Sequence, residues 1–312
     1  MAVALLSPLA AHAMGLQVEP AGGACPALQA TPNTPPPQAA RRLQDSQVAR
    51  GERNIAWAWL GSPTQRYPHK GLGSTTHAGS LHLMVHSGKG VHSGPAAPGL
   101  REVVLALPLN RVFEDRVPRV VDLDGDGKDE VLLIESDALK GSALVVFGVR
   151  AAKSGALEIH EIARSPHTGS TFRWLNPAGV ADFDGDGKLD IASVVTPHIG
   201  GVLTLYHYRP PLLVPFATAM DVSNHKMGEL EQSLAAIVTL PGLRPAIIVP
   251  DMTLSALHAF RWEAPGQWKE LADVKPLPAR IERIEALAGQ GLPAGACVKL
   301  TDGAWVRVWL TQ

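Results

Sequence analysis

The sequence predicts an all-β protein assembled from a repeated unit, and three observations predict it. The first is a duplicated aspartate loop. Asp122-Leu123-Asp124-Gly125-Asp126-Gly127-Lys128-Asp129-Glu130 returns as Asp182-Phe183-Asp184-Gly185-Asp186-Gly187-Lys188-Leu189-Asp190, 60 residues further on. The second is the flanks, which are short β-branched runs: Arg119-Val120-Val121 and Val131-Leu132-Leu133-Ile134 around the first loop, Ile191-Ala192-Ser193-Val194-Val195 after the second. The third is composition. In 312 residues, 30 Gly and 26 Pro supply turns, and 46% hydrophobic residues are enough to bury a large core. Each loop therefore joins strand to strand.

The loop chemistry follows from spacing. Aspartates at positions 1, 3 and 5 (Asp122, Asp124, Asp126; Asp182, Asp184, Asp186), a backbone carbonyl at position 7 (Lys128, Lys188) and a carboxylate at position 9 (Glu130, Asp190) gather hard oxygen ligands around one point. Ca²⁺ selects that donor set, so two calcium sites are expected. An EF-hand opens with the same spacing but needs a bidentate Glu at position 12, where this chain has Leu133 and Ser193, and it needs helices on both sides. A short Asp-rich calcium loop between the first two strands of a 60-residue repeat resembles the FG-GAP, or VCBS-type, repeat of integrin-like β-propellers. The resemblance is carried by these two loops. It implies four-stranded antiparallel blades and, from the family, adhesion or recognition of proteins or glycans.

Hydrophobic rhythm extends the repeat along the chain. A first unit is expected at 55–60, 81–86 and 103–107, and a second at 118–121, 130–136, 143–149 and 157–163. A third runs through 179–181, 190–195, 202–208 and 212–217, with Gly200-Gly201 turning its middle hairpin. The fourth, at 235–238, 246–249, 256–260 and 268–271, has lost its aspartates: residues 239–245 carry no carboxylate, although Asp251 survives after the second strand. A fifth has strands only at 281–284, 296–300 and 305–310. First strands begin 63, 61, 56 and 46 residues apart. Units of this kind cannot bury both faces alone, so a single β-propeller of five blades is expected over 44–312; the alternative is that the repeats form two packed sheets or that a longer ring is completed in trans. The fourth strand of the fifth blade is expected from 44–54, closing the ring of a monomer.

The N-terminus points to export. Residues 1–13 contain the apolar run 2–6 and end in Ala11-His12-Ala13, a signal-peptidase pattern without the usual basic residue ahead of it. Residues 14–43, with Pro35-Pro36-Pro37, are expected to be an extended linker. A periplasmic or secreted location follows, where calcium is abundant enough to fill modest sites. The two cysteines, Cys25 and Cys297, are expected either to bond the N-terminal segment to the last blade or to stay apart with Cys297 a small buried apolar residue.

Several function classes are excluded. With 28 basic and 29 acidic residues and 5% aromatics there is neither a basic stripe nor a stacking platform for nucleic acid. No apolar run reaches the length of about 18 residues that spans a bilayer. No nucleophile elbow, His-Glu-x-x-His, phosphate loop or dinucleotide fingerprint occurs, so an enzyme is not expected. His82, Met84 and His86 alternate on one strand near His77 and His92, and without a carboxylate or cysteine at ligand spacing they read as a solvated face. Segments joining one blade to the next converge near a propeller's channel, which makes Glu114, Asp115, Arg173, Trp174, Asn176, Asn224 and His225 the candidate ligand face. The alternative is that Asn176 and Asn224 cap turns and Trp174 packs between blades. Residues 196–198 are expected on a different edge of the third blade. The expected function is a binding or scaffolding module. The competing one is a polysaccharide hydrolase or lyase using Glu114, Asp115 or His225 as acid or base.

Overall fold

Val131, Leu132, Leu133 and Ile134 give a strand no polar face, and the strand Glu130–Asp137 is buried along its whole length. Period-2 alternation divides its side chains. Val131 and Leu133 pack with Leu60, Leu81 and Leu83 of the preceding sheet, while Leu132 and Ile134 pack with Leu175, Ile191 and Tyr206 of the following one. One sheet is thus held between two others. The computed structural model describes residues 15–21, 25, 35–86, 99–264, 267–271, 274–287 and 295–311. The expected signal segment 1–13 and His92 lie outside the described residues.

The chain forms antiparallel units in sequence order. The first pairs Ala49–Arg50, Ile55–Thr64, His77–His86 and Leu100–Ala106. The second pairs Arg119–Val121, Glu130–Asp137, Gly141–Ala151 and Leu157–Arg164, and the third Leu175–Ala181, Asp190–Val195, Val202–Arg209 and Leu212–Met220. The fourth comprises Ala236–Val238, Ala246–Pro250, Ala256–Ala264 and Gln267–Glu270, with Lys275–Pro276 added beside its third strand. The short strand Arg111–Phe113 bonds to both the first and second units, so their hydrogen bonding is continuous. Apolar clusters fill the seams between the third and fourth units, through Leu203, Leu205, Ile247 and Phe260, and between the fourth and fifth, through Ile248, Leu257, Ile284 and Val298.

The fifth unit corrects two expectations. Its strands Ile281–Ala286, Gly295–Leu300 and Trp305–Thr311 are completed by Gly15–Pro20, which runs antiparallel to the last strand from Gly15 opposite Thr311 to Pro20 opposite Val306. The fourth strand of this unit therefore comes from the segment expected to be a linker, and Leu16 explains it by sinking fully into the apolar seam. Residues 44–54 serve the first unit instead, where Ala49 and Arg50 pair with Ala58 and Trp57. The same N-terminal stretch adds a 3-10 turn, Pro37–Arg41, whose Ala39 covers Trp59 and Met84 on the outer face of the first unit. A disulfide joins Cys25 to Cys297, spanning 272 residues of sequence and fastening the closing segment to its own sheet. Among the described residues no helix is long and apolar enough to cross a membrane.

Segments between units meet one another and the loop that joins Ile55–Thr64 to His77–His86 within the first unit. The Arg116 N–H donates to Gln232 Oε1 at 2.9 Å across 116 residues of sequence, Trp174 Nε1 donates to the Glu114 carbonyl at 3.0 Å, and Gly228 N–H donates to the Gly71 carbonyl at 2.8 Å. Gly73 belongs to this crossing. It has a φ of +75°, and a Cβ there would stand 2.4 Å from the Gly228 carbonyl. The connections between units and this loop of the first unit thus meet in one region.

Candidate functional site

Both aspartate loops fold the same way. In the first, the N–H groups of Leu123, Asp126, Gly127 and Lys128 donate to Glu130 Oε2 (2.8 Å), Asp124 Oδ1 (3.1 Å), Asp122 Oδ2 (3.1 Å) and Asp126 Oδ1 (2.8 Å). In the second, Phe183, Asp186, Gly187 and Lys188 donate to Asp190 Oδ2 (3.1 Å), Asp184 Oδ1 (3.1 Å), Asp182 Oδ2 (3.0 Å) and Asp186 Oδ1 (2.9 Å). Gly125, Gly127, Gly185 and Gly187 all have φ between +73° and +85°, the left-handed backbone that such a turn requires. Each loop joins the first strand of its unit to the second, where residues 130 and 190 begin buried strands and bring their carboxylates back to the loop.

The result is concentrated negative charge. Oxygens of Asp122, Asp124 and Glu130 lie within 4.8 Å of one another, as do those of Asp182, Asp184 and Asp186. Burial, reinforced by Asp124, Asp126 and Asp122, pushes Glu130 up to about 7. Asp190 is raised to about 6 by burial and by Asp184, against the opposing pull of His207. Lys128 reaches its own loop, its Nζ 2.6 Å from Asp126 Oδ2. Asp122 Oδ1 is buried without a hydrogen-bond partner. A carboxylate oxygen left bare beside two other carboxylates is what an oxygen-ligated cation would satisfy, so the residues present fit calcium.

The fourth unit carries no such loop, and Arg244 from the corresponding turn lies against Gly185 of the second loop while donating to the carbonyls of Trp262 and Glu263. Asp251 instead closes a turn, accepting from Thr253, Ser255 and Ala256.

The candidate ligand face largely turns inward. Asp115 is fully buried: its Oδ1 accepts from the N–H groups of Arg116 and Val117, and its Oδ2 from Ile134 N–H and Arg119 Nη1. Asn176 donates to the carbonyls of Asn224 and Gln232, and Asn224 donates back to those of Asn176 and Pro177. These groups hold connecting segments together and are corrected from a ligand face to interior locks. Arg173 stays exposed. Glu114, also buried, accepts from Ser136 Oγ at 2.7 Å and pairs with His69 Nδ1 at 2.5 Å.

His198, expected on another edge, comes to the same place. Its ring stacks on Trp174, and its Nε2 lies 2.7 Å from His225 Nδ1. A carbonyl only accepts, so His225 Nε2 carries a proton toward the Glu229 carbonyl, and burial, which disfavours the charged form of both rings, leaves His225 Nδ1 to accept from His198 Nε2–H. Burial lowers His198 to about 4 and His225 to about 3. They line a cavity of about 370 Å³ with Lys226, Met252, Leu254 and Arg280. Phe172, 45% exposed with φ +64°, stacks on His69, and its N–H donates to the Tyr67 hydroxyl oxygen at 2.9 Å. Sequence reasoning missed His69, His198 and His207 as neighbours of these groups, since nothing local marks a loop histidine that folding brings to the centre. His82 is also partnered, by Glu102 at 2.8 Å and Ser80 at 2.9 Å.

Residues 122–193, from the first aspartate of one loop past the last carboxylate of the other, match the family model of the FG-GAP-like repeat. Over this segment the chain is similar to an FG-GAP-like repeat. The FG-GAP-like segment thus spans both loops and the strands between them. No curated protein matches the chain in sequence. Among solved structures, rhamnogalacturonan lyase YesW is similar over 72% of this chain and 50% of its own, at 15% identity and a TM-score of 0.40. A Bacillus licheniformis rhamnogalacturonan lyase PL11 is similar over 84% of this chain and 58% of its own, at 13% identity and a TM-score of 0.39. BBS1N, solved in complex with ARL6DN, is similar over 85% of this chain and 98% of its own, at 10% identity and a TM-score of 0.30. The chain spans about half the length of the two lyase chains.

Proposed function

We propose that this chain is a calcium-stabilised β-propeller of FG-GAP type, with five blades around the region where its connecting segments meet, exported and acting as a binding module for a protein or glycan. The observation that carries this reading is the equivalence of the two loops, which repeat four backbone-to-carboxylate hydrogen bonds and each bring three carboxylates within 4.8 Å of one another, the first loop leaving Asp122 Oδ1 unpaired. Asp122, Asp124, Asp126, the Lys128 carbonyl and Glu130 would hold one ion; Asp182, Asp184, Asp186, the Lys188 carbonyl and Asp190 would hold the other. A bound divalent cation removes carboxylate repulsion and ties the first strand of a blade to the second. Calcium is structural here.

The Cys25–Cys297 disulfide supports export, because such bonds persist in oxidising compartments. Ligand recognition falls to the rim around Phe172, Arg173 and His69, and to the cavity beside His198, where an exposed aromatic and cationic groups stand over a locked interior. Calorimetric titration of the chelator-treated chain tests the loop assignment. Two calcium equivalents are expected, one lost in Asp124→Ala and the other in Asp184→Ala; a titration without binding overturns the reading.

One observation favours a second reading, a polysaccharide hydrolase or lyase. Asp115 and His225 are committed on all sides, but His69 is oriented by buried Glu114 through Nδ1, as a general base would be. Release of reducing or unsaturated ends from a polysaccharide panel, abolished in His69→Gln with calcium binding intact, would support it. A wild-type chain inert on the whole panel leaves the binding module.

A further inference from the structure

The two loops share a sequence pattern but not a neighbour. In the third unit Asp190 pairs across the strands with His207. In the second unit Val131 opposes Phe147, so the same register sets Gly148, which has no side chain, opposite Glu130, and the His160 ring one strand further on turns its Nδ1 to the Gly148 carbonyl. His207 Nδ1 lies 3.0 Å from Asp190 Oδ1, and its Nε2 faces Asp184 Oδ2 at 4.0 Å. Ligand atoms of Asp184, Asp190 and His207 all lie within 4.8 Å of one another. Two ligands bonded to one ion at about 2.0–2.2 Å stand roughly 3–4 Å apart, so the His207 Nε2 and Asp184 Oδ2 positions already fit one first-row ion between them. The ring is also held in place: Phe216 stacks on it at 3.9 Å, and Trp262 packs edge-on against Phe216.

We propose that the second loop, unlike the first, is a mixed oxygen and nitrogen site that takes a borderline divalent ion of the zinc class in preference to calcium, with His207 Nε2 as a ligand. This deepens the metal-loop reading and rests on it. Asp190 accepting from His207 Nδ1–H fixes the tautomer that leaves Nε2 free to coordinate, the carboxylate–imidazole–metal arrangement that raises ligand basicity. Imidazole suits Zn²⁺ and Co²⁺, whereas an all-oxygen set suits Ca²⁺. The first loop, facing Gly148, stays with the all-oxygen set. Selectivity is thus set by one residue on the third strand, outside the loop motif itself.

The test is Co²⁺ titration of the full chain in saturating Ca²⁺, read by visible absorption and by calcium release. One equivalent of Co²⁺ is expected to displace one calcium and to give an imidazole-dependent band. His207→Gln should weaken that Co²⁺ site tenfold or more while both calcium sites and the chelator-state melt stay near wild type. Asp184→Ala should abolish it, and Asp124→Ala should leave it unchanged. Unchanged Co²⁺ affinity in His207→Gln, or two bound calcium ions that Co²⁺ fails to displace, overturns the inference alone. Failure of Ca²⁺ to bind either loop overturns the metal-loop reading beneath it.

Discussion

Asp115 commits both carboxylate oxygens to partners, two N–H groups on one and Ile134 N–H with Arg119 on the other, at full burial. Replacing it with Ala strands buried donors and a guanidinium together, which costs more than a lost hydrogen bond between exposed groups. Asp115→Ala is expected to lower the unfolding free energy by about 3 kcal/mol in urea titrations; a change within experimental error would mean that water replaces it. The histidine pair gives a pH signature. His198 and His225 stay neutral in the fold, at about 4 and about 3, while an unfolded histidine takes up a proton below about 6.5. Their contribution is therefore complete above pH 6.5 and is lost as pH falls toward the folded values, at up to about 1.4 kcal/mol per pH unit for each group. Without metal, Glu130 works in the opposite sense: its folded value of about 7 exceeds the unfolded one, so its contribution is present in acid and lost as pH rises through 7. The acid slope of stability, measured in chelator between pH 6.5 and 4.5, should be shallower in His225→Asn than in wild type. Equal slopes would contradict the neutral pair.

The closing strand is the element on which the last unit depends. Gly15–Pro20 pairs along its full length with Trp305–Thr311, and the disulfide holds the chain just beyond it to Cys297 in the next strand. Crosslinking residues so far apart in sequence restricts the unfolded chain, so Cys297→Ala is expected to cost about 3 kcal/mol, seen as a lower melting temperature that wild type matches on reduction. No difference between the oxidised and reduced chains would show that the strand pairing suffices. This element also marks what the sequence made legible. The clustering of carboxylates in the loop depends on side chains within nine residues of one another, so the acidic cluster of Asp122, Asp124 and Glu130 reads directly, and the apolar run 131–134 announces a strand buried on both faces. Gly15–Pro20 has the alternation too, at Leu16 and Val18, but its partner lies almost 300 residues away and Pro- and Gly-rich neighbours hide so short a signal. Asp115, Asn176 and Asn224 misled for a related reason: polar residues in connections look solvated until the connections converge and bury them.

At the scale of the molecule, sheets follow one another so that the seams between successive units are apolar clusters shared by neighbours, and the aspartate loops sit where the first two strands of the second and third units turn. Phe183 links the two kinds of order, being part of the second loop and fully buried in the seam to the fourth unit. Leu123 does the same from the first loop to the third unit. Under the proposed calcium binding, occupancy of the loops and packing between units would be one cooperative event, and stabilisation should reach the whole chain rather than the loops alone. At a calcium concentration about 100 times the dissociation constant, each site adds about 2.7 kcal/mol. The most direct measurement is thermal unfolding of the wild-type chain in calcium and in chelator, followed by tryptophan fluorescence and by far-ultraviolet circular dichroism. Structural calcium predicts one transition common to both probes, raised in calcium, with the rise diminished in Asp124→Ala and Asp184→Ala. Superimposable melts in calcium and chelator would contradict the account.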